Sequence, residues 1–163
     1  MSKSLNIGAI VLAMTIASAC NDEPLSVGGG ELAPAAQASV TGSPRDAEAI
    51  QQIVTTFDQA WGSDPVTYAA QYGSVIDWVG PNGTVLNDPA AITALYTFLF
   101  TNVFPGTTRV STIRNLTFLS GTIAVLDIDT QVIGLAGALE KNILIKRAGE
   151  WRIVLHQQTL KTP

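Results

Sequence analysis

Residues 107–133 read TTRVSTIRNLTFLSGTIAVLDIDTQVI, and this stretch decides the fold class. Before Pro105-Gly106 the apolar residues recur at helical spacing, whereas after it they alternate with polar ones, as in half-buried strands. Four β-rich runs follow one another, at about 107–118, 122–133, 138–147 and 151–159. Because the gaps between them are short, the runs predict strands linked by hairpins.

Three helices are predicted upstream, and each begins with a capping residue followed by proline, the combination typical of a helix start. Ser43-Pro44 opens the first helix, Asp64-Pro65 the second and Asp88-Pro89 the third. The second helix is expected to carry Tyr68 and Tyr72 on one face before Gly73 ends it. The helical stripes of the first and third comprise Ile50, Ile53, Val54, Phe57 and Trp61, and Ile92, Leu95, Tyr96, Leu99 and Val103.

A short strand pair is predicted between the second and third helices, at 75–79 and 84–86, with a turn at 80–83. Helices followed by hairpin-linked strands indicate an α+β fold, with the helices packed on one face of a strongly curved antiparallel sheet.

The amino-terminal segment predicts export. An apolar run, Ile7 to Ala19, follows Lys3 and ends in Ala17-Ser18-Ala19 before Cys20, the single cysteine. The run is too short to span a bilayer and is built like a secretory signal. Cleavage before Cys20 resembles the lipobox of bacterial lipoproteins, which implies a thiol carrying an acyl chain such as palmitate. The alternative is a signal cleaved nearby that leaves a free thiol.

These features divide the chain into a signal peptide at 1–19, a lipid-anchored tether at 20–43 and a folded domain at 44–163. The tether is rich in glycine and small residues and shows no apolar periodicity. The expected location is the periplasmic or cell-surface side of a membrane, to which the lipid attaches the protein.

The composition narrows the range of possible functions. Without the signal, eight basic residues face 13 acidic ones, a net charge near −5, and the basic residues are scattered. Nucleic acid is therefore not an expected partner. A single histidine and scattered acids show no recognisable metal-ligand spacing, and no dinucleotide or flavin motif indicates a cofactor.

Several strings, in order, resemble the nuclear transport factor 2-like superfamily, and in particular its SnoaL-like branch with the SgcJ/EcaC group. They are Phe57-Asp58-Gln59-Ala60-Trp61, Asp77-Trp78-Val79, Ile113-Arg114-Asn115-Leu116 and Gly149-Glu150-Trp151-Arg152-Ile153, within roughly 46–160. The resemblance implies a cone-shaped, cystatin-like α+β barrel around an apolar pocket, often in a homodimer formed through the outer sheet surface. It implies no single reaction, because this fold hosts both enzymes and binding domains.

Asp127 and Asp129 are candidate catalytic residues. They lie two apart on a predicted strand, so both carboxylates point to one side and can shift each other's pKa values for acid-base work. In similar limonene epoxide hydrolase-like proteins an Arg-x-Asp element falls on this strand, and Asp127 stands where those carry arginine. The alternative places both aspartates on the solvated face, with Leu126 and Ile128 in the core.

Two further comparisons weaken an enzymatic assignment. Gly80 stands where ketosteroid isomerase has its general base, and Thr56 and Phe57 lie near the position of that enzyme's helix-one phenol. Alternation along the last strand places His156 on the outer face and Gln157 on the inner one. Gln157 is therefore expected to be the polar residue of the pocket, where relatives often carry histidine.

The remaining pocket candidates are aromatic: Trp78, Tyr68, Tyr72 and Trp61. Each can line a ligand cavity or simply fill the core. The leading hypothesis is an exported, lipid-anchored domain that binds a small apolar molecule. The alternatives are an isomerase, cyclase or hydrolase that uses Asp127 and Asp129 as acid and base, and a dimerising interaction module whose cavity has collapsed.

Overall fold

A computed structural model describes residues 42–161. The signal, Cys20 and nearly all of the tether lie outside these residues. Two helices precede a first strand pair, and a third helix and four long strands follow it. The elements are α1 (Pro44–Ala60), α2 (Pro65–Ala69), β1 (Tyr72–Val79), β2 (Val85–Leu86), α3 (Pro89–Asn102), β3 (Arg109–Ser120), β4 (Ile123–Val132), β5 (Gly137–Arg147) and β6 (Glu150–Leu160).

Each helix begins at the predicted cap. The side chains of Ser43, Asp64 and Asp88 accept hydrogen bonds from backbone amides in the first turns of α1, α2 and α3. Proline occupies the next position in all three, where its missing N–H leaves no helical bond unmade. No helix within 42–161 has the length and apolar character needed to cross a bilayer.

The six strands form one sheet in the order β2-β1-β6-β5-β4-β3. All neighbours pair antiparallel except β1 and β6, which run parallel, so the sheet is mixed rather than purely antiparallel. Register shifts interrupt β3 twice and β6 once, and such bulges bend and twist a strand. The hairpin between β5 and β6 turns at Ala148-Gly149, both with positive φ, as a tight two-residue turn requires.

The helices pack on the inner face of this sheet and enclose the core. That core joins the apolar stripes of α1 and α3 to the inner residues of the long strands; its strand members include Ala124, Leu126, Ile128, Leu144, Trp151 and Ile153. The α+β architecture with helices on one face of a curved sheet is confirmed.

The second helix differs from the prediction. It ends at Ala69, and Tyr72 already belongs to β1, so Tyr68 and Tyr72 do not share a helix face. Gly73 lies within β1, where the Cβ of a larger residue would press on a Val154 methyl. The third helix also differs at its end, because Val103 is exposed and Phe100 takes the buried position.

Candidate functional site

A cavity of about 600 Å³ lies between α3 and the inner face of the sheet. This volume falls in the range of small-molecule sites. Its walls are mainly apolar and aromatic, with contributions from Trp61, Trp78, Leu95, Leu99, Phe104, Val132 and Ala138. Leu135 and Leu160 border its mouth and are more than half exposed. The cavity therefore offers an apolar chamber that is open to solvent at one end.

A buried ion pair supplies the charged groups of the cavity wall. Arg109 Nη2 donates to Glu140 Oε2 at 3.0 Å, and both side chains are at most 3% exposed. The other carboxylate oxygen of Glu140 accepts from Thr130 Oγ1 at 3.3 Å and from Gln158 Nε2 at 3.5 Å. Glu140 is thus held by three donors, which leaves it poorly placed to act as a free base.

Arg109 is enclosed on its other sides by aromatic rings and a second acid. Its guanidinium carbon lies 5.2 Å from the Phe57 ring centre and 5.7 Å from those of Trp61 and Tyr68. Its Nε lies 3.4 Å from Asp58, and Nη1 donates to the Tyr68 hydroxyl. The positive charge is neutralised within the protein, so the site does not favour an anionic ligand.

Three phenols stay neutral in this interior. Burial raises the pKa values of Tyr68 and Tyr72 well above the ordinary range, and it also raises the pKa of Tyr96. Tyr96 lines the cavity, whereas Tyr68 and Tyr72 are buried in the core. Tyr68 and Tyr96 pack with ring centres 4.2 Å apart. Neutral hydroxyls can orient a ligand but do not provide a phenolate.

The two predicted tryptophans both line the cavity. Trp61 Nε1 donates to Thr107 Oγ1 at 3.0 Å, which holds the indole at the end of α1. Trp78 points inward from β1, and its indole lies over Gly80, where a Cβ would be 2.7 Å from the ring. The glycine at the position of the isomerase base thus leaves room for this tryptophan.

Asp127 and Asp129 do not lie in the cavity. They project from the outer face of β4, because Leu126, Ile128 and Thr130 take the inner face. Asp127 pairs with Lys141 and Asp129 with Lys161. The apolar residues that fill the core determine this register. The two carboxylates therefore share one face of the sheet, as expected, but it is the face opposite the cavity.

Gln157 is also outside the cavity, and the prediction that it faces inward is wrong. Val154 is an extra residue in β6, since Ile143 pairs with Leu155 and Leu144 with Ile153. This bulge inverts the alternation for the rest of the strand. His156 consequently faces inward and is 1% exposed, while Gln157 lies in an outer groove beside Asp127 and Lys141.

The inward residues that sequence reasoning missed are mostly polar: Arg109, Thr130, Glu140, Asn142, His156 and Gln158. On β5 the inner set includes Glu140 and Asn142, whereas the outer set includes Ile143 and Ile145. Alternation of polarity therefore points to the wrong face here. The usable signal is that Arg109 and Glu140 are residues of opposite charge inside two of the predicted β-rich runs.

No group of three or more potential metal ligands is found within the described part of the chain. Glu140 is instead bound to arginine, hydroxyl and amide groups, and Asp58 to arginine and a hydroxyl group. The lining of the cavity suits an uncharged, largely apolar molecule better than it suits proton transfer.

Known structures share this architecture. A domain of unknown function with a cystatin-like fold from Nostoc punctiforme has a TM-score of 0.68 at 23% identity, covering 74% of this chain and 80% of that one. A protein of unknown function from Methylobacillus flagellatus, described as nuclear transport factor 2-like, has a TM-score of 0.62 at 22% identity over 76% of this chain and 98% of its own.

A hexachlorocyclohexane dehydrochlorinase (LinA, type 2) is also similar, with a TM-score of 0.59 at 16% identity, covering 72% of this chain and 86% of that one. No family model and no curated protein sequence matches the chain. Likeness at these identities is a likeness of fold. The chain has the cystatin-like α+β fold of nuclear transport factor 2-like proteins.

Proposed function

We propose that this protein is an exported lipoprotein of the SnoaL-like, SgcJ/EcaC type that binds a small, largely apolar molecule. The observation that carries the proposal is the cavity of about 600 Å³, in which apolar walls surround a few fixed polar groups. Such a chamber stabilises a bound apolar surface by roughly 25 cal/mol for each Å² removed from water. The anchor at Cys20 would keep the binding domain at a membrane.

Binding is favoured over catalysis by the state of the polar groups. Arg109 and Glu140 are paired with each other, and Glu140 has two further donors. Asp127 and Asp129 are on the opposite side of the sheet from the cavity. A reaction that used these aspartates as acid and base would need a substrate bound on the outer face.

A purely interaction-based role is also less well supported. That hypothesis required a cavity collapsed onto aromatic side chains, whereas the cavity here has the volume of a ligand site. We still propose a homodimer formed through the outer face of the sheet, where an open groove includes Arg114, Leu139 and Thr159.

Native mass spectrometry of the protein purified from its own host tests both proposals. We expect a co-purifying small molecule and the mass of a dimer. Ala138→Phe fills the cavity from β5 and should abolish the co-purifying mass, because Ala138 lines the chamber. Leu119→Phe is the control, since Leu119 is exposed on β3 and borders neither the cavity nor the outer groove. An empty monomer, or a ligand retained by Ala138→Phe, would contradict the proposal.

A further inference from the structure

His156 is the centre of a buried polar cluster behind the cavity wall. In the sheet register it pairs with Trp78 of β1 on one side and with Asn142 of β5 on the other. The imidazole stacks on the Trp78 indole with ring centres 5.6 Å apart and planes inclined by 14°. Tyr72 meets the same imidazole edge-on at 5.7 Å. Strands β1, β5 and β6 therefore bring the side chains of Tyr72, Trp78 and Asn142 around the ring of His156.

Each of these four side chains has a buried polar atom without a partner among residues 42–161. The atoms are Tyr72 Oη, Trp78 Nε1, Asn142 Nδ2 and His156 Nε2. Buried polar atoms in folded proteins nearly always have a hydrogen-bond partner. Because these four side chains adjoin one another, their unpaired atoms indicate one shared polar partner rather than four independent defects.

The donors and acceptors of the cluster define that group. Burial lowers the pKa of His156 to about 4, so the imidazole is neutral at pH 7; Glu140 opposes this shift and Arg109 reinforces it. With Nδ1–H donating to Asn142 Oδ1 at 2.9 Å, Nε2 is an acceptor. Trp78 and Asn142 each have a free N–H to donate, and the Tyr72 hydroxyl, which also lies near that of Tyr96, has an O–H to donate.

A group that both accepts and donates satisfies this set, and it must be uncharged because no ionised side chain belongs to the cluster. A hydroxyl meets both conditions. A carboxylate would face the acceptor Nε2 and would be buried without a counter-charge, and an ammonium would face three donors. The chemistry therefore selects an alcohol, or a water molecule, over an ion.

Trp78 links this cluster to the cavity. Its indole lines the chamber and also stacks on His156. We propose that Tyr72, Trp78, Asn142 and His156 form a hydroxyl subsite at the Trp78 side of the cavity, occupied by the alcohol group of the ligand or, without it, by water. The ligand would then be a neutral, mainly apolar alcohol. This part of the inference rests on the proposed binding function.

Tyr72→Phe tests the subsite without any ligand, since it removes one hydroxyl and little else. If water fills the subsite, the variant loses a hydrogen bond and its melting temperature falls by roughly 3–6 °C. If the hydroxyl has no partner, its removal leaves the melting temperature unchanged or higher. Tyr68→Phe is the control, because Arg109 donates to the Tyr68 hydroxyl and its loss lowers the melting temperature in either case.

Two matched probes test whether a ligand hydroxyl enters the subsite. The full-length chain carries Cys20→Ser, so that it has no lipid anchor and needs no detergent, which would compete with the probes for the cavity. Binding of 2-naphthol and of 2-methylnaphthalene is measured by fluorescence titration. If a ligand hydroxyl enters the subsite, 2-naphthol binds roughly tenfold more tightly than its methyl analogue. Tyr72→Phe should reduce this preference to less than about threefold.

Either arm supports the subsite. A melting temperature that falls on Tyr72→Phe in a Tyr96→Phe background, where the neighbouring phenol cannot be the partner, assigns the subsite to water, and a lost hydroxyl preference assigns it to the ligand. The inference is overturned if Tyr72→Phe is not destabilised and 2-naphthol has no preference that depends on Tyr72. If instead the proposed binding function is wrong, neither probe binds. The melting temperature alone then decides whether the subsite holds water.

Discussion

At the residue scale, the buried pair of Arg109 and Glu140 is the most consequential contact in the molecule. The guanidinium is enclosed by aromatic rings and two acids, and its pKa is raised, chiefly by the charge of Glu140 acting against burial. A buried charge that loses its partner is strongly destabilising, whereas an exposed pair contributes little. The interior pair and the outer pairs of Asp127 and Asp129 should therefore respond very differently to substitution.

Glu140→Gln is expected to lower the free energy of unfolding by about 3 kcal/mol, near the low end for a broken buried pair because Asp58 remains near Arg109. Asp127→Asn removes the exposed pair with Lys141 and should cost less than about 1 kcal/mol. Urea denaturation measures both. If the two variants lost similar amounts of unfolding free energy, the buried pair would contribute no more to stability than the exposed one.

His156 predicts a pH dependence of stability. Its pKa is about 4 in the folded protein and 6.5 ordinarily, because burial disfavours the charged ring. The unfolded chain thus binds the proton first, so stability is fully present above pH 6.5 and falls as the pH drops toward 4. The loss over that window is about 3 kcal/mol.

The comparison is urea denaturation of the wild type and His156→Gln at pH 7 and pH 4.5. The wild type should lose more stability than the variant between these two values. Asp46 does not affect the comparison. Hydrogen bonds from Lys146, Trp151 and Ser43 lower its pKa from 3.8 to about 2, so its contribution to stability is lost as the pH falls from about 3.8 toward 2, below this window. Equal losses in wild type and variant would count against a neutral buried imidazole.

At the scale of elements, α3 supplies one wall of the cavity and depends on its cap. Asp88 Oδ1 accepts from the backbone amide of Ala90 at 3.0 Å. Asp88→Ala should destabilise the protein by about 1 kcal/mol, because the first-turn amide loses its acceptor. Asp88→Asn keeps an oxygen acceptor and should lie close to the wild type. Thermal unfolding distinguishes the two variants. Equal melting temperatures for both would show that the Asp88 cap does not contribute to stability.

The strands show where sequence reasoning succeeds and where it fails. On β4, alternation puts Asp127 and Asp129 on one face and Leu126 and Ile128 on the other, but it left undecided which of the two faces is the inner one. On β6, one inserted residue, Val154, inverts the faces of His156 and Gln157. A bulge leaves no mark in an alternating pattern, since it is set by pairing with neighbouring strands that are distant in sequence.

At the scale of the whole molecule, the proposed anchor is a separate question from the fold. If Cys20 is acylated, Cys20→Ser should move the protein from the membrane fraction to the soluble exported fraction and abolish incorporation of a labelled palmitate analogue. The fold of residues 42–161 should be unaffected, because Cys20 lies outside them. Membrane association that persists in Cys20→Ser, or absent label in the wild type, would overturn the lipoprotein assignment.

The sequence by itself determined the order of elements, the three helix starts and the α+β class, because caps, prolines and apolar spacing act within a few residues of each other. Only the tertiary structure decided the site. Arg109 and Glu140 are 31 residues apart, and Trp78, Asn142 and His156 belong to three different strands. Their meeting depends on strand order, register and a bulge, and these are set by packing of the whole sheet against its helices.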